Sequence, residues 1–183
     1  MMTSPDRITV HVRKLCRKLG NVGEPVFVDV HPRLDSDVND CFCDVERQVA
    51  EAGGGIQYGW LVWEMPGVFI EGEFHAVWKK ADGSLLDVSF KRDGETKVCF
   101  VPDHGRAFKG KRVPTIRHAI SDAPVVKRFM EIGSRFQSNV ARKYDVPFGS
   151  PIDFDAEDRA LEREIQILGI QMSQLRAARR HAG

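Results

Sequence analysis

Ile56-Gln57-Tyr58-Gly59-Trp60-Leu61-Val62-Trp63, then Met65-Pro66-Gly67, then Val68 through Lys79, then Ala81-Asp82-Gly83 and Ser84 through Phe90: this run decides the fold. Within it β-branched and aromatic residues alternate with polar ones, and Pro-Gly and Asp-Gly punctuate the alternation, which predicts antiparallel strands over 56–63, 68–79 and 84–90. Residues 97–101 (Lys-Val-Cys-Phe-Val) predict a fourth strand. Val26-Phe27-Val28-Asp29-Val30 reads as an earlier one, ended at His31-Pro32 because proline cannot donate to a ladder.

Outward from the strands the period becomes helical. Cys41 to Ala52 places Phe42, Val45, Val49 and Ala52 in one apolar sector, and Gly53-Gly54-Gly55 ends the helix. Residues 6–19 form a short amphipathic helix through Ile8, Val12, Leu15 and Leu19. Asp122-Ala123-Pro124 opens a helix to about Tyr144, residues 145–155 are a connection, and a last helix over about 156–180 carries Leu161, Ile165, Leu168 and Met172 on one face. The expected class is α+β. An antiparallel sheet of about four to five strands packs on the helix bearing Cys41, with N- and C-terminal helices flanking it. One domain spans 1–183, with its core over about 26–103 and a C-terminal helical extension over about 121–183.

The chain's 183 residues are 42% hydrophobic, enough to bury a core without staples. Its 27 Lys and Arg nearly cancel 26 Asp and Glu, which argues against a dedicated nucleic-acid binder. The longest run of large apolar residues, Trp60 to Trp63, is far too short to span a bilayer. Residues 1–7 carry an acidic residue and lead into no signal-like apolar core, so a cytoplasmic protein is expected. Cys16, Cys41, Cys43 and Cys99 are too few and too irregular for a secreted disulfide framework.

Cys41, His75 and Asp87 stand apart from the packing pattern. Asn39 or Asp40 can cap the Cys41 helix, leaving the thiol in the first turn, where unpaired N–H groups and the helix dipole favour a thiolate. Cys43 points away from Cys41. In the 68–79 strand His75 shares a face with Glu71 and Glu73, opposite Ile70, Phe74 and Ala76. A three-residue Ala81-Asp82-Gly83 loop would pair Lys80 with Ser84, Val77 with Asp87 and His75 with Ser89, setting Asp87 diagonal to His75. A two-residue Asp82-Gly83 loop would pair Asp87 with Trp78 and turn it away. Glycine at the third position favours the first. An imidazole that takes the thiol proton, with a carboxylate on its other nitrogen, is what a thiol nucleophile needs. The second oxyanion donor could be Gln57, Asn39, Tyr58 or an indole N–H. Trp63, Glu71 and Glu73 are candidates for contact with substrate.

The order Cys41-Phe42-Cys43-Asp44-Val45, Glu73-Phe74-His75-Ala76-Val77-Trp78 and Asp82-Gly83-Ser84-Leu85-Leu86-Asp87 resembles the transglutaminase-like branch of the papain-like cysteine enzymes. It is also similar to a group of bacterial proteins with the same His-Ala-Val-Trp and Asp-Gly stretches. The resemblance covers about residues 26–103, and the family's Asp-Pro is here Asp87-Val88. It implies a papain-like fold with Cys41 as nucleophile, His75 as base and Asp87 as orienter. The implied activity is amide hydrolysis or acyl transfer through a thioester, as in a peptidase, amidase, deamidase or transglutaminase, with no cofactor and no metal. The substrate would be a protein, a peptide or a small amide.

A non-catalytic protein on the same scaffold is the alternative, binding a partner or a zinc ion held by Cys41, Cys43, His75 and another His or Asp. The basic run Arg106, Lys109, Lys111, Arg112, Arg117 and His118 has little aromatic interleaving and reads as a solvated loop rather than a nucleic-acid surface. The apolar stripe of the last helix could pack on the domain or pair two chains as a homodimer.

Overall fold

The computed structural model describes residues 2–38, 40–144 and 146–181. In chain order the elements are α1 (Val10–Leu19), β1 (Val26–Val30), α2 (Cys41–Ala52), β2 (Gly55–Met65), β3 (Phe69–Lys79), β4 (Leu85–Asp87), β5 (Lys97–Pro102), β6 (Ile116–Ala119), α3 (Pro124–Lys143) and α4 (Ala156–His181). α1 starts later than its periodicity suggests because Thr9 Oγ1 accepts the Val12 N–H and caps the helix there. β4 is shorter than the expected 84–90 strand. Asp87 Oδ1 accepts the Ser89 N–H, which turns the chain out of the ladder. β6 lies inside the basic run read as a loop; four residues carrying Arg117 and His118 give no usable alternation.

The sheet order is β2-β5-β1-β4-β3-β6, and β2 also pairs with β3 along eleven residue pairs. Strands β1 to β5 therefore close into a barrel, with β6 added on β3, and the expected papain-like open sheet packed on a helix is overturned. β1 is what closes it: it runs antiparallel to β5 and parallel to β4, bridging the outer neighbours of the β2–β3 hairpin. The parallel pair also departs from the purely antiparallel expectation. Val28, Val30, Leu61, Val77, Val98 and Phe100, with Leu85 beside them, come from all five strands and fill the interior.

The outer wall carries a second cluster. Trp60, Val62, Ile70, Phe74 and Ala76 pack under Val12, Leu15 and Leu19 of α1 and under Phe42 and Val45 of α2. A third cluster joins Met65, Val68 and Phe69 at the hairpin end to α3 and α4, and Leu161, Leu168 and Met172 are spent there. Arg128 Nε donates to Glu164 Oε1 across that helix pair. No helix among the described residues is long and apolar enough to cross a membrane.

Gly59 stands where β2 crosses closest to β5. A methyl there would overlap the Val101 carbonyl oxygen and the Phe100 ring. Because the obstruction includes backbone, Gly59→Ala is expected to destabilise the protein by about 1–3 kcal/mol. Urea denaturation of the variant checks this, and a midpoint equal to that of the parent would show that β2 and β5 are less tightly apposed.

Candidate active site

α2 presents Cys41 at its first position, 8% exposed, because Phe42 and Val45 anchor the helix on the barrel wall. Asp40 stands at the N-cap position, but its side chain does not cap. It accepts instead from Arg47 Nη2 at 2.8 Å, and the same guanidinium nitrogen donates to Asp44 Oδ1 at 2.7 Å. The N–H groups of Cys41, Phe42 and Cys43 are thereby left unclaimed by the cap side chain, and helix geometry gives them no partner of their own; the Asp44 N–H donates to the Asp40 carbonyl.

The hairpin between β3 and β4 closes through the three-residue loop. Lys80 N–H donates to Ser84 O, Gly83 N–H donates to Lys80 O, and Trp78 lies opposite Leu86. That register sets His75 Nε2 3.0 Å from Asp87 Oδ2, with both side chains buried. The same edge of β3 makes the opening. β4 pairs with Trp78 and Lys79, and β6 with Phe69 through Gly72, so the stretch between them, which holds Glu73 and His75, faces a gap between two diverging strands.

A cavity of about 450 Å³ occupies this gap, and Cys41 and His75 both line it. Trp63, Glu71 and Glu73 line it too. Trp63 Nε1 donates to Glu73 Oε2, and Glu71 accepts from Arg117 Nε, so among the described residues Glu71 has a cationic partner at its oxygen and Glu73 an indole. Gln57 is not brought to the cavity: its amide donates to the Tyr58 carbonyl on β2. Tyr58 is also away from the lining. Asn39 lies outside the described residues. The indoles are occupied as well, Trp60 with Asp103, Trp63 with Glu73 and Trp78 with the Gly53 carbonyl. Of the candidate donors among the described residues, none but the first-turn N–H groups of α2 lies beside Cys41 without a side-chain partner.

Two residues that the sequence reading did not include complete the cluster. Ser89 Oγ donates to Asp87 Oδ1 at 2.6 Å and lies 3.3 Å from His75 Nε2. Lys91, 8% exposed, places its ammonium 2.7 Å from Asp87 Oδ2 and 2.8 Å from Ser89 Oγ. The period-two series Asp87, Ser89, Lys91 is visible in the sequence. It carries no sign that the lysine folds back into the interior.

Burial alone would raise the Asp87 pKa, yet His75 and Lys91 together hold it well below the usual carboxylate range. Asp87 is therefore an anion that only accepts, and the proton between it and His75 sits on Nε2. Nδ1 is left as the basic nitrogen. Burial works against the charged form of His75 as well. A Cys41 thiolate and the Asp87 carboxylate outweigh it and the opposing Lys91, and the pKa is pushed up to about 9. The other thiols are held protonated: Cys16 is raised by burial, Cys43 by its hydrogen bond to Asp40 and by burial, and Cys99 by burial to about 12.

Compared with known proteins, the chain matches no family model, no curated protein and no solved structure.

Zinc donors are not gathered around Cys41, since Cys43 is exposed with Asp40 at its thiol. Among the described residues the one group within metal-ligand reach is Asp155, Glu157 and Asp158 on the C-terminal side, and Lys143 donates to all three.

Proposed function

We propose that the protein is a thiol-dependent hydrolase or acyltransferase that acts on an amide, peptide or related acyl bond through a thioester on Cys41 Sγ. The observation that carries this reading is the His75 Nε2 to Asp87 Oδ2 bond at 3.0 Å in a cavity that Cys41 also lines, because it leaves Nδ1 to take the thiol proton. The Cys-His-Asp order that resembles transglutaminase-like enzymes supports the same chemistry.

In the proposed sequence His75 Nδ1 accepts the Cys41 proton, and the thiolate attacks the acyl carbon. The oxyanion meets the first-turn N–H groups of α2. The imidazolium then delivers the proton to the departing amine as the carbon–nitrogen bond breaks, leaving the acyl group on Sγ. Water or an amine next attacks the thioester carbon with His75 as base, and Sγ leaves. Trp63 and Glu73 form the wall nearest an incoming amide. Four free thiols support action in the reducing cytoplasm.

The test uses p-nitrophenyl acetate as acyl donor. The expected result is one acetyl group on Cys41, removable by hydroxylamine at neutral pH, with ester cleavage abolished in Cys41→Ala. Acetylation of Cys43 alone, or cleavage unchanged in Cys41→Ala, would rule the proposal out. Zinc content measured on the same sample decides the binding-protein alternative, since a stoichiometric ion, with Cys41 alkylation rising only after chelation, would replace the enzyme reading.

A further inference from the structure

Lys91 is the buried cation that the chemistry above leaves without a task. Its ammonium has three protons and three acceptors around it: Asp87 Oδ2 at 2.7 Å, Ser89 Oγ at 2.8 Å and the Ser89 carbonyl at 3.4 Å. A lysine this buried is costly to desolvate, and an apolar residue would fill the same space at lower cost if packing were its role. Asp87 Oδ2 is the atom it shares with His75 Nε2.

We propose that Lys91 is a positioning residue of the thiol site, which acts through Asp87 and Ser89 to hold His75 in its Nε2–H form and to keep the imidazolium ready to surrender its proton. The proposal rests on the thiol-enzyme reading and adds to it the group that tunes the acid.

Two consequences of the geometry support this. First, Ser89 Oγ accepts from Lys91, so its own hydrogen goes to Asp87 Oδ1 rather than to His75 Nε2, 3.3 Å away. Were Lys91 absent, that hydroxyl could rotate toward Nε2 and favour the ring form that carries its proton on Nδ1, where no base faces the thiol. Second, Lys91 takes part of the carboxylate's charge. An unshared Asp87 would stabilise the imidazolium further, and an imidazolium bound too firmly is a poor acid for the leaving amine. The charged groups acting on His75 are Cys41 from α2, Asp87 from β4 and Lys91 from the turn after it, with Glu73 two residues away on β3 and lining the same cavity. Farther along the cavity wall, Asp40 and Glu71 are held by Arg47 and Arg117, and Arg92, Asp93, Glu95 and Lys111 line the same cavity.

The experiment is a pH titration of the full chain with 15N-labelled histidine, read at the His75 ring nitrogens, alongside the rate of Cys41 alkylation by iodoacetamide. Lys91→Gln keeps an N–H donor and drops the charge; Lys91→Arg keeps the charge. Relative to wild type, the His75 inflection is expected to rise by about one pH unit in Lys91→Gln. In Lys91→Arg it is expected to stay in place. Signal from the Nδ1–H form should also appear in Lys91→Gln above the inflection. An unchanged inflection and ring form in a folded Lys91→Gln, or loss of fold in both Lys91→Gln and Lys91→Met, would reduce Lys91 to a stabilising ion pair and overturn the proposal. Failure of the thiol reading gives a different result: wild-type Cys41 would alkylate slowly and His75→Ala would not change its rate, whatever Lys91 does to the ring.

Discussion

With limiting iodoacetamide at pH 6, alkylation is expected to fall on Cys41, about ten- to a hundredfold faster than on Cys43. Exposure alone predicts the reverse order, because Cys43 is exposed and Cys41 is buried at the cavity wall. The electrostatics decide it. Cys43 has its proton held by Asp40, Cys16 and Cys99 are held protonated by burial, and Cys41 sits at a helix N-terminus beside an imidazole whose charged form its own thiolate stabilises. In His75→Ala the advantage of Cys41 over Cys43 at pH 6 is expected to vanish. Above about pH 9, where His75 loses its proton, the thiolate stands without its counter-ion and the wild-type rate is expected to level off. Site-resolved mass spectrometry reads all four thiols in one sample. Equal rates at Cys41 and Cys43 at pH 6 would remove the thiolate–imidazolium pair from the protein.

Asp87→Ala should be the most destabilising single change in the site, costing about 3–5 kcal/mol. Asp87 is fully buried and accepts from His75, Ser89 and Lys91, so its removal leaves a buried ammonium without its counter-charge and the His75 ring without its carboxylate acceptor. The double variant Asp87→Ala with Lys91→Met is expected to recover a large part of that loss, since the penalty lies chiefly in the stranded cation. Urea denaturation at pH 7 measures both. Additive losses in the double variant would show that the carboxylate stabilises the fold by some route other than the Lys91 pair. The depressed Asp87 pKa sets the pH window: its contribution is present above the ordinary carboxylate value near 4 and is lost only as pH falls through the lower folded value. Neither substitution at pH 7 crosses that window.

How much of the site was legible follows from how local each piece is. The first-turn position of Cys41 could be read from the helical period and the polar residue before it, and α2 begins at Cys41. The relation between His75 and Asp87 could be read from one hairpin loop, because Gly83, at φ +85°, takes the left-handed position that a three-residue turn requires. The side-chain cap was not legible, since Asp40 has the Arg47 guanidinium, seven positions on, to prefer over the helix N–H groups. Gln57 was proposed as an oxyanion donor on residue type alone, and the strand that carries it turns the amide to a neighbouring carbonyl. Lys91 reads in sequence as one more surface lysine. Its burial depends on the chain leaving β4 at Asp87 and folding back over it.

By itself the sequence determined the helices, the positions of the five strands β1 to β5, and the face of β3 on which His75 stands, because each depends on a period or a turn residue within a few positions. Only the tertiary structure decided that these strands form a closed barrel. Closure rests on Asp29 lying beside Leu86 and Val26 beside Phe100, pairings between distant segments that no local period encodes. The same closure makes the face of β3 that alternation marks as polar into the inside of the barrel at Val77 and its mouth at His75. The gap between β4 and β6 is where a buried base, a carboxylate and a lysine can meet, and its existence depends on where two strands diverge.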